Sequence, residues 1–220
     1  MSLALFDLDH TLLDGDSNTL WLEYLVEHGH VPATVLTAQA DYMARYAAEQ
    51  LDITDYYGFH LGLLGQRALS DWLPVRAAFV AACIAPRISV EALVALAEHR
   101  AQGDTLAIIT ATHSFLSDAV AELLDVPVIA SRAEVLDGVL TGRIEGAICF
   151  REHKQPSLMS WLRAQGLGEG ALKDCRFYSD SANDLPLLEA VSHPVVVNAD
   201  ARLAAVAKAR KWPALSWRCA

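Results

Sequence analysis

Four short runs in this chain are apolar on both faces and end in polar residues. LALFDLDHTLL at 3–13 sets Leu3, Ala4, Leu5, Phe6 and Leu8 around Asp7, TLAIITAT at 105–112 ends in hydroxyls, CRFYSDS at 175–181 ends around Asp180, and HPVVVNAD at 193–200 ends on Asn198 and Asp200. Successive side chains of a strand point to opposite faces, so a strand apolar throughout must be covered on both sides, the setting of a parallel sheet between helices. Helical stretches alternate with these runs: Ser89–Gln102 stopped by Gly103, one beginning near Pro156, then Pro186–Val191 and Ala199–Lys211. VPVIAS (126–131) and WPALSW (212–217) add strands, and AEVLDGVLTGRIEG (133–146), with two glycine turns, reads as a small antiparallel excursion. This alternation predicts an α/β fold built on a doubly wound parallel sheet.

One stretch breaks the alternation. SNTLWLEYLVEHG opens with Ser17 as a plausible N-cap and closes on Gly29. TVLTAQADYMARYAAEQL, DITDYYGFHLGLL and SDWLPVRAAFVAACI follow with helical content and no strand alternation. The expected division is a core of residues 1–13 and 87–220 with a small all-helical insertion, 14–86, after the first strand.

Composition narrows the partners. A chain of 220 residues, 53% hydrophobic and 20% charged, is long enough for one good core and is not disordered. Its net charge of -10 argues against nucleic acid and against an anionic membrane surface, both of which require clustered Lys and Arg. The longest apolar run, Ala77–Pro86, is too short for a bilayer, and Asp7 and Asp9 interrupt the N-terminal run where a signal peptide would need continuity. Cys83, Cys149, Cys175 and Cys219 are scattered, with no zinc or redox spacing, and read as reduced thiols of a cytoplasmic protein. A small-molecule partner is expected; monomer and homodimer both stay open.

At the carboxyl ends of parallel strands, polar side chains face the crevice where open α/β sheets bind ligands. Asp7 and Asp9 end the first strand, Thr110 and Thr112 the second, and Asp180 a later one, with Asn183 and Asp184 just beyond. Lys154, in FREHKQPSL, precedes a helix and would lean over the same edge. Carboxylates so close together are expensive to hold without a cation.

These residues carry a resemblance. DLDHT, IITAT, Lys154 and SDSAND are similar, in order, to the four motifs of the haloacid dehalogenase superfamily, and the helical insertion resembles the cap of its phosphoserine phosphatase-like branch. A DxDxT triplet alone would occur by chance in about one chain of this length in forty, so the weight lies in four motifs each at a strand end or helix start. The resemblance implies a phosphatase. Asp7 would be the nucleophile that forms an aspartyl-phosphate, and Asp9 the acid and base that serves the leaving alcohol and then the water. Mg²⁺ would be held by Asp7, the Asp9 carbonyl and Asp180, with Asp184 behind them. Thr110, Lys154 and Asn183 would bind the phosphoryl oxygens.

For the substrate, Asp16 occupies the position where phosphoserine phosphatases carry a glutamate for the amine. Between Asp14 and Arg87 lie nine acidic residues, four arginines and no lysine, so an amine is better received than a carboxylate. Arg45, in DYMARY, is the one arginine in an aromatic setting. Trp21, Tyr42, Tyr46, Tyr56 and Tyr57 would stack on a flat or cationic group, or form the core of the insertion. TATHSFLS, FREHK, YSDSANDLPLLE and ARLAAVAKARKWP look like a bacterial group with histidinol-phosphatase activity. The order of expectation is histidinol phosphate, another amino-alcohol or sugar phosphate, then phosphoserine; a phosphomutase or an inert binding module is the alternative class.

Overall fold

A computed structural model of the chain describes residues 2–65 and 67–219. The elements run β1 (Leu3–Phe6), α1 (Ser17–Glu27), α2 (Thr34–Ala47), α3 (Ile53–Gly62), α4 (Leu69–Phe79), α5 (Val90–Gln102), β2 (Thr105–Ile109) and α6 (Ser114–Leu124). Then come β3 (Val128–Ile129), β4 (Arg132–Leu136), β5 (Val139–Glu145), α7 (Lys154–Ala164), β6 (Cys175–Ser179), α8 (Leu185–Ala190), β7 (His193–Val197), α9 (Ala201–Arg210) and β8 (Ala214–Leu215). Six strands form one sheet in the order β3-β2-β1-β6-β7-β8, and every pairing in it is parallel. The chain winds outward from β1 through β2 to β3, then crosses to β6 and winds the other way. The reversal lies between β1 and β6, where an open α/β sheet leaves a crevice beyond the strand ends.

The apolar strands are explained by two separate cores. Ala4, Phe6, Leu106, Ile108 and Tyr178 face one side; Leu3, Leu5, Ala107, Ile109 and Phe177 face the other. Phe6 stacks on Tyr178 of the neighbouring strand with ring centroids 4.7 Å apart. The first of these cores continues into the helical block through Trp21, Trp72 and Phe79.

The antiparallel excursion is a β4–β5 hairpin turned by Asp137 and Gly138, whose φ values of 50° and 77° suit a type I′ turn. It lies beside the helices: Leu69 N–H donates to Gly138 O at 2.7 Å. Gly142 packs beside the Gly62 backbone and needs to be glycine for its own conformation, at φ 83°.

Two local expectations need correction. The N-cap of α1 is Asp16 rather than Ser17: its Oδ1 accepts from Thr19 N–H at 2.7 Å, while Ser17 is the first helical residue. The apolar run at Ala77–Pro86 is part of a longer helical stretch, because α4 continues through a π-helical turn at Val80–Ile84 and a 3-10 turn at Ala85–Arg87. That stretch, Leu69–Arg87, has 19 residues and a mean hydropathy of 1.2, enough by length and composition to cross a bilayer. Here Trp72, Phe79 and Ile84 are buried in the core, and Arg76 Nη1 donates to Phe115 O at 2.7 Å.

Candidate active site

Beyond the end of β1 the chain leaves the sheet. Thr11 and Leu13 N–H both donate back to Leu8 O, at 3.2 and 2.9 Å, so the chain turns after Asp7, and Asp9 lies in that turn and not in an extended strand. They consequently face different partners. Asp7 stays in register with the sheet through its N–H bond to Tyr178 O at 2.9 Å, and its Oδ1 accepts from Lys154 Nζ at 2.8 Å. Asp9 turns toward α1 and the β2 end: Oδ1 accepts from Ser17 N–H at 2.7 Å, and Oδ2 from the Thr112 hydroxyl at 2.6 Å.

Lys154, 3% exposed at the start of α7, joins two motifs, since its Nζ also lies 2.8 Å from Asp184 Oδ1 and 2.9 Å from Oδ2. Ser179 Oγ donates to the same Asp184 oxygen at 2.7 Å. Asp180, at the end of β6, accepts from Thr11 Oγ1 at 3.3 Å. One ammonium therefore holds two carboxylates directly, Asp7 and Asp184, with Asp180 beside them. Burial alone would discharge Lys154, but Asp184 and Asp7 outweigh it and hold the ammonium charged above its ordinary value. Burial, only partly offset by Lys154, pushes Asp7 up to about 6. Asp180 is raised well above the usual carboxylate range by burial and by its neighbours Asp7 and Asp184. Asp9 is pushed up to about 7 by burial and by the charge of Asp16, against the lowering effect of its two hydrogen bonds. Both carboxyls are thus held above the usual carboxylate range, Asp9 further than Asp7.

This set suits a hard divalent cation. Its donors are carboxylate oxygens in excess of positive charge, the chemistry Mg²⁺ prefers. Among the described residues no three His, Cys, Asp or Glu side chains are already spaced to hold a metal, and Lys154 shares Asp7 Oδ1. Asp7 and Asp180, which flank the crevice between β1 and β6, would help to hold such a cation.

The same cavity, of about 150 Å³, is lined by Asp7, Asp9, Thr110, Lys154, Asp180, Asn183 and Asp184, and by Asp16 from the helical side. Thr110 Oγ1 accepts from Thr112 N–H at 3.0 Å, which leaves its own proton free. Asn183 Oδ1 accepts from Arg151 Nε at 3.1 Å, so the amide turns its N–H donors away from Arg151. Arg45 does not reach the cavity: it is half-exposed and paired with Asp41 one turn away at 2.6 Å. Of the five aromatic candidates, only Tyr46 and Tyr56 line it. Trp21 is buried against Trp72 and Phe79, and Tyr57 hands its hydroxyl proton to Ala111 O at 2.7 Å. Tyr42 contacts Asp55 and Phe59 at the surface side of the helices.

Residues that the sequence reading did not single out complete the walls. Met43, Leu51, Ile53 and Phe150 make an apolar face, and His10, Asn18 and Ser181 add polar positions. Tyr46 hydroxyl lies 3.1 Å from Ser181 Oγ, tying α2 to the loop after β6. One signal for Asn18 was available: it begins the series Asn18, Trp21, Leu22, Leu25 at helical spacing, a polar residue on an otherwise apolar stripe.

The haloacid dehalogenase-like hydrolase family model matches residues 4–189. A histidinol-phosphatase of Neisseria meningitidis serogroup C (strain 8013) is 36% identical over 220 residues, covering 99% of this chain and 99% of its own. A protein of unknown function from Bordetella pertussis Tohama I superposes with a TM-score of 0.92 at 39% identity, over 97% of each chain. A phosphoserine phosphatase solved as a phospho-aspartyl intermediate analogue superposes with a TM-score of 0.70 at 19% identity, over 99% of this chain and 93% of its own, a likeness of fold.

Proposed function

The chain belongs to the haloacid dehalogenase-like hydrolase family and is a phosphatase, and from there we propose that it hydrolyses the phosphate monoester of a small amino-alcohol, histidinol phosphate first, through an aspartyl-phosphate on Asp7. The observation that carries this reading is the division of labour between the two aspartates. Asp7, ionised and aimed across the strand ends, attacks phosphorus. Asp9, poised about 7, carries a proton for the leaving alcohol. Once the alcohol leaves, the Asp9 carboxylate takes a proton from water, whose oxygen attacks the phosphoryl group and frees Asp7. Lys154, Thr110 and the Asn183 amide hold the phosphoryl oxygens as their charge grows. Mg²⁺, held by Asp7, Asp180 and the Asp9 carbonyl with Asp184 behind, would neutralise charge on the transferring oxygens.

We read residues 14–86 as the cap of this enzyme and its contribution to the cavity as the substrate filter. Asp16 brings a carboxylate for an amine, and Tyr46, Tyr56 and Phe150 offer ring faces to an imidazole. Phosphoserine fits less well. Among the described residues the cavity is lined by no arginine and by one lysine, Lys154, already committed to the aspartates, so a substrate carboxylate is poorly received there. The histidinol-phosphatase likeness supports the same order. Four free thiols fit a reducing, cytoplasmic setting.

The test is a comparison of kcat/KM with Mg²⁺ for histidinol phosphate, phosphoserine, a sugar phosphate and p-nitrophenyl phosphate. Histidinol phosphate should lead. A higher value for phosphoserine or the sugar phosphate would replace the substrate assignment. Isomerised product without inorganic phosphate would make the protein a mutase.

A further inference from the structure

Asn18 lies in the first turn of α1, 5% exposed, and lines the cavity beside Asp9 and Asp16. Its Nδ2 donates to Thr112 Oγ1 at 3.3 Å. Thr112 has a single hydroxyl proton, and it goes to Asp9 Oδ2 at 2.6 Å. The Thr112 oxygen can therefore only accept from its other neighbours, Asn18 Nδ2 and the Ser17 hydroxyl at 3.0 Å. Turning the Asn18 amide over would bring two acceptors face to face. The relay thus fixes the amide with its oxygen away from Thr112, and that oxygen, buried, has no hydrogen-bond partner among the described residues.

A buried acceptor without a donor is costly to hold, and a site that contains one discriminates strongly for a ligand that satisfies it. The group that would do so is set by position. Asn18 is connected through one hydroxyl to Asp9, the residue that serves the leaving oxygen, so a donor meeting Asn18 sits close to the ester oxygen. We propose that Asn18 Oδ1 is a substrate-binding acceptor for an N–H or O–H donor on the carbon next to the ester-bearing carbon of the leaving alcohol, with an ammonium as the best fit. The inference rests on the reading of Asp9 as the acid at the leaving group. It adds to the Asp16 carboxylate a second, neutral oxygen. An ammonium carries three protons and can serve both oxygens, whereas a single hydroxyl proton can serve only one.

Three small substrates that differ at one atom test this: 2-aminoethyl, 2-hydroxyethyl and propyl phosphate, each assayed for kcat/KM with wild type, Asn18→Leu and Asn18→Asp. Wild type should prefer both donor-bearing esters over propyl phosphate. In Asn18→Leu the ratio of either to propyl phosphate should fall about tenfold or more, in KM more than in kcat. Asn18→Asp retains an acceptor but sets an oxygen against the Thr112 oxygen, so it should slow all three esters while the donor-bearing ones keep their lead over propyl phosphate, which separates recognition from a general loosening of the relay to Asp9. A wild type that does not distinguish the donor-bearing esters from propyl phosphate would overturn the assignment, as would a leucine variant that slows all three equally. Preference for the hydroxyl ester over the amine, with both lost in the leucine variant, would leave Asn18 as the acceptor and instead contradict the amino-alcohol reading.

Discussion

Lys154 Nζ and Asp7 Oδ1 lie 2.8 Å apart although 147 residues separate them in sequence. The pair ties the start of α7 to the end of β1, and Asp184 closes it from the β6 side. Lys154→Met keeps the length of the side chain and removes its charge. Activity should fall by roughly 10²-fold or more, the usual loss when one preorganised charge partner of a transferring group is removed. The variant should also melt below wild type, by a margin that widens as pH rises and Asp7 and Asp180 ionise without their counter-ion. Melting curves at pH 5 and pH 8 check the second outcome, and an equal margin at both would contradict it.

Metal-free stability should fall with rising pH. Asp7 and Asp9 move from 3.8 to about 6 and about 7 on folding, so between those values these carboxyls bind more protons folded than unfolded and outweigh the opposite effect of His60 and His113, which burial holds neutral. Stability present below pH 4 is then lost as pH rises through about 7. In EDTA the melting temperature should be higher at pH 5 than at pH 8, and Mg²⁺ should raise it more at pH 8, where ionised carboxylates await a cation. Scanning calorimetry at both pH values decides; a metal-independent profile would remove the cation from the site.

The kcat profile should decline above about pH 7, as Asp9 loses the proton that the leaving alcohol needs. Asp16→Asn takes away the neighbouring charge that helps hold Asp9 up, so the alkaline limb should move to lower pH. Asparagine caps helices nearly as well as aspartate, which keeps α1 intact. Asp9→Asn should slow an alkyl phosphate by about 10²- to 10⁴-fold and flatten the limb.

Arg151 holds the oxygen end of the Asn183 amide, and its own backbone is left-handed, with φ 49°. Arg151→Leu frees the amide to rotate. Inorganic phosphate should inhibit the variant more weakly than wild type, about fivefold or more on the scale of one hydrogen bond to a charged group. Unchanged inhibition would mean that Asn183 is oriented by something else.

What the sequence made legible follows from what each residue answers to. Asp7, Thr110, Lys154 and Asp180 come together because parallel strands place their carboxyl ends on one edge, and the strands announce themselves by being apolar on both faces. Strand ends blurred where hydroxyls continued the run: β2 stops at Ile109, and IITAT bends there so that Thr110 can accept from Thr112. Arg45 looked like a pocket residue because aromatic neighbours surround it in sequence, but helical spacing gave it Asp41 instead. Phe150 and Tyr46, 104 positions apart, meet at the cavity only through tertiary packing, which no local pattern encodes. Asn18 lay between these cases, marked by polarity on an apolar stripe but without a motif to give it a role.

Turnover depends most directly on Asp7, the group that would take up the phosphoryl. The decisive measurement is turnover of p-nitrophenyl phosphate with Mg²⁺ by Asp7→Asn, compared with wild type at matched circular dichroism, since asparagine keeps the shape and removes the nucleophilic charge. The account predicts that turnover is lost to background. A folded Asp7→Asn protein that still releases phosphate at a substantial fraction of the wild-type rate would contradict it.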